Sequence, residues 1–133
     1  MAVDPADADV VYATFSGYRN ADNNAHVMRS SDGSAHWTDI SGNLPDAPTQ
    51  DVIIDPANSN RLFVASDLGV FTADKTKSSS KAQAPKVRWR QLGRGLPAAP
   101  VNDIRYHQAT NTLYAATYGR SIWKLQLNRN DLR

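Results

Sequence analysis

The feature that most constrains this chain is that it repeats itself every 52 residues or so. Leu44, Pro45, Ala47, Pro48, Asp51 and Val52 fall on Leu96, Pro97, Ala99, Pro100, Asp103 and Ile104, always at the same spacing. "WTDISGNLP" lies over "WRQLGRGLP" at that offset, placing Trp37 on Trp89 and Ile40 on Leu92. "AVDPADADVVYAT" lies over "IIDPANSNRLFVAS" one residue closer, and "TNTLYAAT" supplies a third copy. Several anchors at one spacing mark a repeat architecture, in which each unit buries its apolar face only against its neighbours.

Each unit reads as four short strands. The first is "QDVIID" or "NDIRYH"; the second is "VVYATF", "RLFVAS" or "TLYAAT". The third is "HVMRSS", "GVFTAD" or "SIWKLQ", and the fourth is "HWTDIS" or "RWRQLG", before an "LPxAP" connection. Bursts of Val, Ile, Phe, Tyr, Trp and Thr between Gly, Pro, Asn and Asp predict strands and turns, not helices. A period of about 40–50 residues with four strands per unit predicts the blades of a β-propeller. The reading is therefore all-β: a partial propeller of about three four-stranded antiparallel blades, the last lacking its outer strand. Residues 1–48 form blade one, 49–100 blade two with a polar insert at 75–86, 101–127 an incomplete final blade, and 128–133 a tail.

Composition narrows function mostly by exclusion. With 15 Lys+Arg against 13 Asp+Glu, the net charge of +2 makes no electrostatic case for nucleic acid. There is no cysteine, so disulfides and thiolate metal sites are excluded. No apolar run approaches the roughly 18 residues of a membrane span. All the acids are aspartates, with no glutamate in the chain. No cofactor is expected, and no metal: His26, His36 and His107 lack ligand spacing and read as surface or packing residues, with His26 and His36 placed near one turn.

"SSDGSAHW", Ser30 to Trp37, resembles the Asp-box, the S-x-D-x-G-x-T-W turn of bacterial-neuraminidase-type repeats, with Ser34 in place of its Gly and His36 in place of its Thr. The blades resemble the sialidase-like propellers of the sortilin-like and xyloglucanase-like families, and "LYAATYGRSIWKLQL" resembles a last blade of that group. The resemblance implies a structural box: Ser30 and Asp32 bonding within their own turn, Gly33 allowing positive φ, and Trp37 packing between strands. It also implies a ring of six to eight blades closed by strand pairing between its termini, so this chain is expected to be a C-terminal part of a larger propeller. The expected partners are the remaining blades or further copies of the chain. Many relatives are exported, so a secreted or periplasmic location is favoured.

In such propellers ligands meet the loops between strands two and three and between blades. Here "SGYRNADNNA" offers Tyr18, Arg19 and Asp22 as ligand-binding candidates, and "TYGR" pairs Tyr118 with Arg120, an aromatic ring beside a guanidinium that suits a sugar or a carboxylate. "ASDLGVF" is similar to the segment carrying a catalytic aspartate in xyloglucanase-like enzymes, which would make Asp67 a general base; the same pattern is frequent in non-catalytic blades. Glycoside hydrolysis usually needs a second carboxyl, and Asp22, Asp46, Asp51 and Asp103 are available with no motif to select among them. Sialidase chemistry uses a glutamate this chain does not contain. The favoured reading is a non-catalytic or catalytically incomplete propeller segment, acting as scaffold or as a protein- or carbohydrate-binding surface. The alternative is the C-terminal part of a secreted glycoside hydrolase.

Overall fold

A computed structural model of the chain describes residues 1–75, 85–93, 95–97 and 99–128. Most of the insert (76–84) and of the tail (129–133) lies outside the described residues. The described chain is built from eleven strands in three antiparallel sheets. Sheet I holds β1 (Ala2–Asp4), β2 (Asp7–Phe15), β3 (His26–Ser30) and β4 (Thr38–Asp39), in that order. Sheet II holds β5 (Thr49–Ile54), β6 (Arg61–Ser66), β7 (Gly69–Asp74) and β8 (Arg90–Leu92). Sheet III holds β9 (Val101–His107), β10 (Thr112–Thr117) and β11 (Ile122–Gln126). Every strand pairs with its neighbour in sequence, so each sheet is a meander closed by short turns. Among the described residues no helix is long and apolar enough to cross a membrane.

The sheets stack face to face with sheet II in the middle, and its sequence shows why. In β6 and β7, successive residues point to opposite faces, yet Leu62, Phe63, Val64, Ala65, Val70, Phe71, Thr72 and Ala73 are all buried. Leu62, Val64, Phe71 and Ala73 join Val10, Tyr12, Val27 and Ile40 of sheet I in one core. Phe63, Ala65 and Val70 join Ile104, Leu113 and Ala115 of sheet III in a second. A strand that is apolar at every position needs cover on both faces, and this one has it.

Sheets I and III each have a neighbouring sheet on one face only, although β2 is itself buried from Val10 to Ala13. β11 is mostly exposed along its length, whereas its repeat equivalent β7 is buried in all but its last residue. Met1, Val3, Phe15 and Trp37 are exposed on or beside sheet I, and Tyr114 and Ile122 on sheet III.

The two tryptophans that the repeat equates part company here. Trp89 is 3% exposed and joins the core between sheets I and II. Its indole Nε1 donates to the Ile40 carbonyl at 2.9 Å, while its backbone exchanges hydrogen bonds with the Asn43 side chain at 2.7 and 2.8 Å. Trp37, expected to pack between strands, is instead 37% exposed. Cross-strand pairing of Thr38 with Arg29 turns Thr38 toward sheet II and so leaves Trp37 on the outer face, which no described sheet covers.

Lys75, the first residue of the polar insert, packs inward. Its ammonium lies 5.0 Å from the Tyr12 ring centre, donates to the Tyr12 hydroxyl at 2.9 Å, and approaches Asp4 at 3.4 Å. With its side chain only 11% exposed, it ties sheet II to sheet I.

Candidate functional site

The Tyr18, Gln50 and Asp67 side chains meet at the end of the stack formed by the β2–β3 and β6–β7 connections. Tyr18 opens a single 3-10 turn, Tyr18–Asn20, whose entry requires Gly17. At φ 69, a Cβ on Gly17 would come within 2.4 Å of the Asp22 carbonyl oxygen, so no other residue fits without moving the loop. Asp67 sits in the tight β6–β7 turn, where the Ser66 hydroxyl accepts from the Leu68 N–H at 3.1 Å and the Asp67 N–H reaches the Pro48 carbonyl at 3.1 Å. Gln50 is the extra residue of a β-bulge, since Thr49 pairs with Ser66 but Asp51 with Ala65. A bulge redirects the side chain it carries. Thr49 holds the bulge in place: buried between the sheets, its hydroxyl donates to the His26 carbonyl at 2.7 Å.

The three side chains close a hydrogen-bonded triangle. Tyr18 Oη donates to Asp67 Oδ2 at 2.6 Å, and Gln50 Nε2 donates to Asp67 Oδ1 and to Tyr18 Oη, both at 3.0 Å. The bond to the Asp67 carboxylate, with burial adding to it, raises the Tyr18 phenol above its ordinary value of 10. Tyr18 is therefore a protonated donor near neutrality and not a phenolate nucleophile. The exposed ring, the carboxylate and the amide together form a rim suited to hydrogen bonding and stacking with a polar, hydroxyl-bearing ligand.

Asp22 lies beside this cluster, serving its own loop. It accepts from the Asn24 N–H at 2.9 Å and meets His26 Nε2 at 2.7 Å. These contacts, the Asn24 bond first, hold its carboxyl below the usual range. Arg19 is exposed and forms no ion pair among the described residues.

Tyr118 occupies on sheet III the place Asp67 occupies on sheet II: its N–H reaches the Pro100 carbonyl at 2.8 Å, as that of Asp67 reaches Pro48. Tyr118 and Arg120 are exposed, and among the described residues no hydrogen bond joins either to the Tyr18–Gln50–Asp67 cluster. The Arg120 carbonyl instead accepts from the Trp123 indole at 2.7 Å.

The Ser30–Trp37 turn is elsewhere, between β3 and β4. Asp32 accepts from the His36 N–H at 2.9 Å, meets the His36 ring at 2.7 Å, and accepts from the Ser30 hydroxyl at 2.8 Å. Those bonds, the backbone one first, pull its carboxyl down to about 2. Gly33 and Ser34 both have positive φ, 66 and 78. His26 and His36, placed near one turn by the sequence, are apart: His26 opens β3, His36 lies in the β3–β4 turn, and they pair with different aspartates.

A second polar cluster went unselected in the sequence. Asp51 and Asp103, equivalent residues of the first strands β5 and β9, share Arg105, whose Nη1 lies 3.2 Å from Asp51 and 2.8 Å from Asp103. Desolvation raises the Asp103 carboxyl, opposed by Arg105 and reinforced by Asp51. Asp46, the remaining carboxyl considered, is an exposed residue of the β4–β5 connection. Among the described residues no group of three His, Cys, Asp or Glu side chains is placed to hold a metal ion.

Compared with protein-family models, curated proteins and solved structures, the chain matches none.

Proposed function

We propose that this chain is a segment of a sialidase-like β-propeller that works as a scaffold and binding surface and not by catalysis. One observation carries the reading: Val3 and Trp37 on sheet I and Tyr114 and Ile122 on sheet III are exposed at positions whose counterparts on sheet II pack into its two cores. Register matching aligns Val3, Val11, Ala13, Met28 and Trp37 on the outer face of sheet I with Ile54, Leu62, Val64, Phe71 and Trp89, which face sheet I from sheet II. Tyr114, Ala116 and Ile122 on the outer face of sheet III align in the same way with Phe63, Ala65 and Val70, which face sheet III. Apolar faces of this kind are contact surfaces for further sheets. The partners are further blades or other copies of the chain, and the exposed Tyr18–Gln50–Asp67 rim is the surface left for a protein or carbohydrate ligand.

Sedimentation velocity of the full chain tests this. Concentration-dependent self-association, weakened by Val3→Lys and by Ile122→Lys, is the expected result. A monodisperse monomer unaffected by either substitution would remove the reading.

The glycosidase alternative draws on Asp67 standing in a tight exposed turn beside Tyr18. Against it, both oxygens of Asp67 already accept hydrogen bonds from neutral side chains, and the carboxyls that pair, Asp51 and Asp103, do so without it. Turnover of a glycoside by the protein, abolished in Asp67→Asn, would reverse the preference.

A further inference from the structure

Hydrogen bonding alone would admit any polar guest to the Tyr18–Gln50–Asp67 rim; its charge narrows the choice. Asp4, Asp51, Asp55, Asp74 and Asp103 each pair with a lysine or an arginine. Asp67 has no such partner among the described residues, since its two side-chain bonds come from neutral groups, the Tyr18 hydroxyl and the Gln50 amide. Tyr18 keeps its proton near neutrality, so the cluster holds one uncompensated negative charge. An ionised carboxyl accepts at about four positions, and these donors leave about half of them open.

That carboxylate is oriented in advance. Its backbone N–H is tied to the Pro48 carbonyl at 3.1 Å, and one donor meets each of its oxygens. A group already fixed loses little freedom on binding. The Tyr18 ring beside it, and Leu68 next in the turn, are both more than half exposed. An aromatic face attracts a cation, and a bare leucine covers the methylene stem of a long cationic side chain. We propose that this rim docks an arginine side chain of a partner polypeptide, its guanidinium on Asp67 and over the Tyr18 ring and its stem along Leu68. Arginine fits better than lysine, because its planar fork meets both carboxylate oxygens and lies flat on a ring. A neutral sugar would engage the ring and leave the Asp67 charge unanswered. Arg19, next to Tyr18 in the chain and exposed, works against a cationic guest and keeps the affinity modest.

The inference rests on the reading of this rim as a binding surface, and a chain that proves monomeric still carries it. Its test is titration of the full chain with the blocked peptide acetyl-Gly-Arg-Gly-amide, followed by amide chemical shifts. Saturable shifts at Gln50, Asp67 and Leu68 are expected in the millimolar range, and they should weaken as salt is raised. The same peptide with citrulline, which keeps the shape of arginine and loses its charge, should bind about fivefold more weakly, and so should the arginine peptide to Asp67→Asn. Tyr18→Leu should weaken binding about threefold, whereas Arg19→Ala should tighten it. The citrulline comparison uses the unaltered chain and stays decisive if a variant does not fold. Equal binding of the arginine and citrulline peptides, or arginine shifts that a folded Asp67→Asn leaves unchanged, would overturn the proposal. Cellotetraose serves as the neutral control. Shifts at the rim from cellotetraose and none from the arginine peptide would overturn the arginine site and leave the binding surface standing; shifts from neither would remove the rim from both readings.

Discussion

Asp32 and Asp103 show how the same side chain is driven in opposite directions by its surroundings. Asp32 is held at about 2 by the His36 N–H, the His36 ring and the Ser30 hydroxyl, against an ordinary 3.8. Its folded value is depressed, so its contribution is fully present above pH 3.8 and disappears as pH falls toward 2. Asp32→Asn should accordingly lower Tm at pH 7, and the gap from the parent chain should close across that window in thermal melts. Asp103 behaves in the reverse sense, because desolvation makes its ionised form unfavourable in the fold. The stability tied to its proton is present below 3.8 and lost as pH rises through its raised value. Asp103→Asn, which never ionises, is therefore expected to melt higher than the parent chain at pH 7 and level with it well below pH 3.8. Residue identity was legible here and environment was not. The short spacing of Ser30, Asp32 and His36 suggests a self-bonded turn, but nothing local to Asp103 reveals that Asp51, one repeat away, lies against it.

At the level of the element, the repeat is a controlled comparison within one molecule. Trp37 and Trp89 stand at the same place in equivalent strands, yet one meets solvent and the other a core. Trp89→Ala should cost about 3–5 kcal/mol, the range for removing a buried aromatic, since it also strands the Ile40 carbonyl that accepts from the indole. Trp37→Ala should cost less than about 1 kcal/mol. Urea denaturation of the two variants checks both values, and equal losses would show that the outer face of sheet I is covered in solution. The strands themselves were readable from the sequence because alternation and turn residues act over a few positions. The Tyr18–Gln50–Asp67 cluster was only half readable. Tyr18 is picked out by its loop and Asp67 by the resemblance of its segment to xyloglucanase-like enzymes, each separately, while Gln50 is brought in by a bulge that leaves no mark in composition.

For the whole molecule, the stacking order sets a gradient of stability. Sheet II has cover on both faces and sheets I and III on one, so opening a terminal sheet exposes one interface and opening the middle one exposes two. Native-state hydrogen exchange should therefore be slowest in β6 and β7 and fastest in β11 and β4, the ordering expected where local opening follows buried contact. Comparable protection in all three sheets would mean that the outer faces are occupied. Lys75 belongs to this scale too. It stands at the start of the polar insert, yet it holds Asp4 and Tyr12 of the neighbouring sheet.

The sequence by itself determined the periodic and the local: a repeat of about 52 residues, the strands within each unit, and the turns that make each sheet a meander. Those features depend on side-chain alternation and turn chemistry, which are written in neighbouring residues. The tertiary structure alone decided which of two equivalent tryptophans is buried and which aspartates touch. Burial is a property of what lies across the interface, and equivalent residues in a stack differ in what they have across from them.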